Sequence, residues 1–132
     1  AALADGTIDA LVSDHTPVEA DAKTLPFAES EPGATGLELL LPLALQWGEQ
    51  SGAGLARAIE VVSAAPARLI GAAEAGRLAP GAAADLCVVD PTLEWQVLPE
   101  ALRSQGKHTP FGGYALLGKA RHTLVGGRLV HG

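Results

Sequence analysis

Methionine is absent from the 132 residues, and cysteine occurs once, at Cys87. A single cysteine allows no internal disulfide and no cysteine zinc cluster, which favours a reducing compartment and a cytoplasmic location. A chain without Met that opens at Ala1 fits removal of an initiator or a cut from a longer protein, and the layout described below favours the cut. Basic residues are scarce: nine Lys and Arg stand against fifteen Asp and Glu, for a formal net charge of −6. That balance argues against a nucleic-acid partner and against an anionic membrane surface. No apolar run is long enough to span a bilayer, because Leu37 to Leu45 is interrupted by Glu38 and Pro42. No basic and apolar leader opens the chain. No His-x-His, His-Glu-x-x-His or paired Cys-x-x-Cys occurs, so this chain alone cannot supply the three or four ligands of a usual zinc site. What is plentiful is apolar: 48% of residues against 18% charged, in a length that suits one domain with a hydrophobic core. Such a composition excludes disorder as the main state.

The periodicity divides the chain in two. Residues 7–12, with β-branched Thr7, Ile8 and Val12, read as a short buried strand that runs into Ser13, Asp14, His15, Thr16 and Pro17. Residues 18–35 form a polar loop with a Pro32-Gly33 turn signal, long enough to suggest function. Helical spacing resumes at Gly36, placing Leu37, Leu40, Leu41, Ala44, Leu45 and Gly48 on one face, and Pro42 predicts a late start or a kink. A second helix is predicted over about 54–64, with Leu55, Ala58, Ile59 and Val62 on one face. A third, short helix follows, with Ser63 as N-cap, Pro66 early and Gly71 as C-cap. After about residue 75 the period changes to two. Residues 85–90, closed by Pro91, and residues 94–98 read as strands. Gly126-Gly127 between two alternating runs predicts a hairpin. The expected organisation is therefore strand, loop and helices over 1–74 and a small β domain over 75–132. One strand followed by helices cannot close a sheet, and its open edge would be a liability for a lone domain.

Asp14 is the first candidate for chemistry. It lies at the C-terminal end of the predicted strand, where parallel α/β architectures carry their active sites. A carboxylate there can bind a metal, take a proton from water, or do both; alternatively it caps the turn at Thr16-Pro17. His15 can ligate a metal, hydrogen-bond a substrate, or simply pack. His108, His122 and His131 are scattered, the last two on the face of the hairpin. Gly33 and Gly36 open a helix and can present backbone N–H groups to a carboxylate, or only lead the chain into it. Lys23 reads as a substrate contact or a solvated loop lysine. Cys87, between Leu86 and Val88, reads as inert buried packing. Phe111 and Tyr114 read as a lid or a packed turn.

An ordered set of segments resembles the dihydroorotases, which are cyclic amidohydrolases. It begins with Ser13, Asp14, His15, Thr16 and Pro17, then Glu19 to Lys23, Pro26-Phe27 and Glu31 to Glu38. It continues with the helix from Ser63 to Gly71, then Gly76 to Gly81, Ala84 to Pro91, Ser104 to Phe111 and Gly118 to Val130. The Asp-His-x-Pro segment alone is a weak signal; the ordered set spans essentially the whole chain.

The resemblance implies an α/β fold: the C-terminal piece of a metal-dependent (β/α)8 barrel plus part of a flanking small β-sandwich domain. It implies reversible interconversion of N-carbamoyl-L-aspartate and L-dihydroorotate in pyrimidine synthesis, with one or two zinc ions whose ligands lie mostly upstream of this chain. Only the barrel-end Asp maps here, onto Asp14, as metal ligand and as the general base that returns the proton to the leaving nitrogen. His15, Val18, Pro32 and Gly33 map to substrate-binding positions, and the piece alone is expected to be inactive. The implied partners are a small-molecule substrate, further copies in a homo-oligomer, and aspartate transcarbamoylase.

One departure stands out. Family members usually carry His after the proline, where it binds the substrate carboxylate, and here that position is Val18. Losing a charge-assisted contact costs about 1.5–3 kcal/mol. Val18 therefore keeps two other readings open: a non-catalytic dihydroorotase-like subunit that scaffolds aspartate transcarbamoylase, and a hydantoinase-like enzyme acting on another cyclic amide.

Overall fold

A strand exists only where its backbone finds partners, and residues 7–12 do not find them. The structure, a computed structural model describing residues 1–132, opens with a short helix α1 (Ala2–Asp5) ended by Gly6 at φ +84°. The strand predicted at 7–12 does not form. Its β-branched residues suit one, but its N–H groups bond elsewhere: Ile8 to the Ala2 carbonyl (3.0 Å) and Leu11 to the Val61 carbonyl (2.9 Å).

Pro42 delays the first long helix. Leu37–Leu39 makes one 3-10 turn, and helix α2 (Leu40–Gln50) follows with Pro42 in its first turn, where no intrahelical N–H is needed. Leu37 stays exposed, whereas Ala44 and Gly48 are buried. Helix α3 (Gly54–Glu60) is shorter than predicted and crosses α2 at Gly48. A Cβ on Gly48 would stand 2.7 Å from that of Ala58, so the small residue sets the approach of the two helices. Helix α4 (Ala64–Leu69) is preceded by Ser63, whose side chain makes no capping bond, contrary to the expectation. Its other end behaves as the sequence suggests. Gly71 sits at φ +71°, and the Gly71 and Ala72 N–H groups bind the Arg68 and Ala67 carbonyls. Glu60 ties α3 to α4 through Arg68 (2.7 Å), and Arg57 of its own helix braces the carboxylate (2.9 Å). Hydrogen bonds from Arg68 and then Arg57 hold its carboxyl below the ordinary glutamate range.

The β part is one three-stranded antiparallel sheet in the order β1-β2-β3, where β1 is Leu86–Gln96, β2 is Ala115–Val125 and β3 is Arg128–His131. The two strands expected at 85–90 and 94–98 are a single strand. Asp90 faces Lys119 and Glu94 faces Leu117, so four steps along β1 match two along β2. Pro91, which has no N–H for the ladder, sits in that bulge. Asp90 accepts the Thr92 N–H (3.0 Å) and hydroxyl (2.8 Å) across it. The hairpin turns at Gly126 and Gly127, both at positive φ, as expected.

Helix α2 packs on the sheet at Gly118, where a Cβ would collide with the Leu45 side chain. The buried cluster of Leu39, Val97, Leu102 and Leu116, with Leu43, Trp95 and Phe111 against it, draws on both halves of the chain. The hairpin end of the sheet has no helix over it. Cys87 is therefore exposed, not buried as predicted, and all of β3 is exposed with it. Only 15 of 132 residues are buried, so much of the apolar 48% remains on the surface, Phe27 (99% exposed) and Leu78 among it.

Two outcomes follow from this packing. Gly118→Val should lower the unfolding free energy by about 2–4 kcal/mol, by overpacking and by a strained φ of +99°. Urea titration followed by tryptophan fluorescence reads it, and an unchanged midpoint would contradict the helix–sheet contact. For Glu60 the folded-state pKa lies below the unfolded one, so its contribution is present above the ordinary carboxylate range and lost as pH falls through the folded pKa. Below about pH 4.3 the wild type should therefore lose Tm more steeply than Glu60→Gln. Parallel Tm profiles would show that the Arg57–Glu60–Arg68 link is inconsequential.

Candidate active site

Asp14 holds a conformation that few residues adopt. Its φ is +45°, the only positive value outside glycine, and Asp is among the types that tolerate this region. Such a backbone costs about 1–3 kcal/mol and persists where the surroundings over-determine it, often at functional sites. The turn-capping alternative is not what forms. The Thr16 hydroxyl donates to the Asp14 carbonyl (3.3 Å), so the side chain of Thr16, not that of Asp14, makes the local bond. The Asp14 side chain is exposed on an open cleft of about 650 Å³.

The far end of the long loop supplies one wall of that cleft, through Pro32, Gly33, Thr35 and Gly36. The loop closes on itself at its base. Thr16 N–H binds the Ala34 carbonyl at 3.0 Å. His15 Nδ1 accepts the N–H groups of Gly36 (3.1 Å) and Leu37 (3.2 Å). Glycine is required at both close approaches. Gly33 has φ +129°, and its missing Cβ would strike the Thr16 carbonyl; a Cβ on Gly36 would lie 2.6 Å from the Ser13 carbonyl. The Lys23 ammonium donates to the Glu31 carbonyl, bridging the middle of the loop.

The opposite wall is Pro110 and Phe111, from the segment between β1 and β2. Phe111 is half-buried, edge-on to Tyr114 with ring centroids 5.9 Å apart, so these two form a packed turn, of which Phe111 walls the cleft. Thr35 and Glu38 hold this segment in place. Buried Thr35 receives the chain at two points: its N–H donates to the His108 carbonyl (2.7 Å) and its hydroxyl to the Gly106 carbonyl. The Glu38 carboxylate accepts the N–H groups of Arg103 (2.7 Å) and Ser104 (2.8 Å).

The predicted site residues thus separate into three groups. Asp14, Pro32 and Gly33 meet on the cleft. His15 lies behind it, with its Nδ1 engaged by backbone. Val18 is buried against Gly33 and Gly106 and does not line the cleft, because the close approach of those two glycines covers it. Thr35, Glu38 and Pro110 lie within the segments of the resemblance but carry no role in the sequence reading, and Phe111 is read there as a lid or a packed turn. The partners of Thr35 and Glu38 lie 65–73 residues away in sequence, so spacing does not show the pairing. The apolar groove of about 560 Å³ between α2 and the sheet has Glu49 as its one ionisable side chain, so the converging polar groups belong to the Asp14 cleft.

No group of three or more His, Cys, Asp and Glu side chains that could hold a metal is present. The donor set of this chain fits a divalent metal only as one ligand, the exposed Asp14 carboxylate, and tetrahedral zinc needs three or four.

The chain matches the amidohydrolase family over residues 1–130. It is similar to the dihydroorotase of Anaeromyxobacter dehalogenans, with 43% identity over 130 residues, covering 98% of this chain and 30% of that protein. It is similar also to the dihydroorotase of a Geobacter species, with 40% identity over 131 residues, covering 99% and 31%. Among solved structures it resembles the L-hydantoinase (dihydropyrimidinase) of Arthrobacter aurescens, with TM-score 0.87, 34% identity, and coverage of 98% of this chain and 30% of that one. The D-hydantoinase (dihydropyrimidinase) of a Thermus species gives TM-score 0.87 at 27% identity with the same coverage. The chain spans about 30% of the length of the curated relatives it matches.

Proposed function

The chain belongs to the amidohydrolase family, and from that premise we propose that it is the part of a dihydroorotase-like cyclic amidohydrolase that carries the proton-handling carboxylate. The observation that carries the reading is Asp14: an exposed carboxylate on a strained backbone, on a cleft walled by both halves of the chain. The kinship to dihydroorotases at 40–43% identity supports the substrate class. The whole protein would interconvert L-dihydroorotate and N-carbamoyl-L-aspartate in pyrimidine synthesis. In the hydrolytic direction water adds to the ring amide carbonyl, the carbon–nitrogen bond breaks, and the nitrogen leaves with a proton. Asp14 takes the proton from the attacking water and delivers it to that nitrogen, so it ends the cycle as it began. Zinc, one or two ions, would supply Lewis acidity and lower the pKa of the water when bound. Asp14 is the ligand this chain fits to provide, and the rest would come from outside it. The Pro32-Gly33 wall faces the ring, and Phe111 closes the other side.

The same reading takes residues 1–74 as the end of a (β/α)8 barrel and 75–132 as part of a small β-sandwich, in a cytoplasmic homo-oligomer. The surface apolar groups, Ile70, Leu78 and Phe27 among them, are the kind that contact with more chain would cover.

A second reading has its own support. The solved structures named above are hydantoinases, and Val18, buried under Gly33, offers no charge for a substrate carboxylate. In this reading the substrate is another cyclic amide.

Steady-state kinetics of the full-length protein on dihydroorotate, hydantoin and dihydrouracil separate the readings. Dihydroorotate should be turned over best. Asp14→Asn, which keeps the tolerance for positive φ but removes the base, should lower kcat by about 10²–10⁴-fold. Preference for the hydantoin supports the second reading. Unchanged kcat in the variant would remove Asp14 from the chemistry. No turnover of any of the three would leave the scaffold reading, with aspartate transcarbamoylase as the partner to test by co-purification.

A further inference from the structure

We propose that His15 is a positioning residue for Asp14: its ring clasps the far end of the long loop, and through that clasp holds the Asp14 backbone in place. The proposal rests on the reading of Asp14 as the proton-handling group. Backbone N–H groups only donate, so a ring nitrogen that accepts two of them carries no proton. His15 Nδ1, bonded by Gly36 (3.1 Å) and Leu37 (3.2 Å), is therefore bare, and the ring proton sits on Nε2. The nitrogen closer to the backbone is consumed by structure and is not available to a metal or a substrate.

The clasp spans 21 and 22 residues and acts on the residue directly after Asp14. The residue directly before it is closely packed by the same segment: Gly36 approaches the Ser13 carbonyl so nearly that a Cβ would stand 2.6 Å from it. Thr16 N–H on the Ala34 carbonyl (3.0 Å) completes the closure. Asp14 thus lies between a bonded neighbour, His15, and a closely packed one, Ser13. That arrangement explains how a side-chain-bearing residue stays at φ +45°. Releasing the ring lets Asp14 relax toward ordinary backbone, which swings its carboxylate away from the cleft. Misplacement of a reacting group by about 1 Å costs up to about 10²-fold in rate, and it falls on kcat more than on KM.

The geometry separates this role from direct substrate contact through the choice of substitution. Asn places its Oδ1 where the histidine has Nδ1, and so can accept the same two N–H groups. Gln places its acceptor one bond farther out, nearer the position of Nε2. In the full-length protein, His15→Asn should keep kcat within about threefold of wild type, while His15→Gln and His15→Ala lose about tenfold or more with KM changed less than about threefold. Hydrogen exchange by mass spectrometry on peptides spanning residues 34–40 should be accelerated in the Gln and Ala variants and not in Asn. If His15→Ala does not fold, the Asn and Gln pair carries the comparison. An Asn variant as impaired as Gln with exchange unchanged in both, or a raised KM at unaltered kcat, would place Nε2 on the substrate and overturn the proposal. Wild-type kinetics and exchange in His15→Ala would overturn it too. Should the wild-type protein turn over none of the cyclic amides, the Asp14 reading fails by itself. The exchange pattern still decides the clasp: acceleration restored by Asn supports it, and identical exchange in all variants refutes it.

Discussion

Residues 34–38 are bonded on two sides, and the site depends on that double attachment. On one side Ala34, Gly36 and Leu37 hold Thr16 and His15, closing the loop that follows Asp14. On the other, Thr35 and Glu38 hold Gly106, His108, Arg103 and Ser104. A carboxylate on an otherwise irregular segment is thereby placed opposite Phe111, about a hundred residues later in the chain. Most of these bonds use backbone donors, and two of their acceptors are side chains, His15 and Glu38. The stretch is short, and Leu39 anchors it directly to the buried cluster.

Local signals were legible and partner-dependent ones were not. The Gly126-Gly127 hairpin and the αL glycine after α4 follow from the conformational freedom of glycine alone, and both stand where the sequence puts them. The late start of α2 follows from the missing N–H of Pro42. By contrast, the strand expected at 7–12 needs neighbours that this chain does not place beside it. The fusion of two expected strands into β1 needs β2 opposite, because only a partner can bridge the bulge at Pro91. Cys87 reads as buried from its apolar neighbours, but burial depends on what covers the sheet, and no helix covers that end.

The site shows the same division. The motif singles out Asp14, Pro32 and Gly33, and the three line one cleft because they lie within one loop and its flanks. The same motif assigns Val18 to the substrate by position, and its burial beneath Gly33 and Gly106 cannot be read from spacing. Thr35 and Glu38 act on partners so distant in sequence that a single sequence offers no hint of the pairing. A small core and a largely exposed apolar surface fit a chain that spans about 30% of the length of its relatives.

A crystal structure of the full-length protein with L-dihydroorotate or its ring-opened product bound is the most direct test of the central claim. An Asp14 carboxylate oxygen should lie within about 3.2 Å of the scissile amide or of the water that attacks it. Residues 32–33 and Phe111 should flank the ring. A ligand bound away from this cleft, or Asp14 turned out of reach of the amide, would contradict the account.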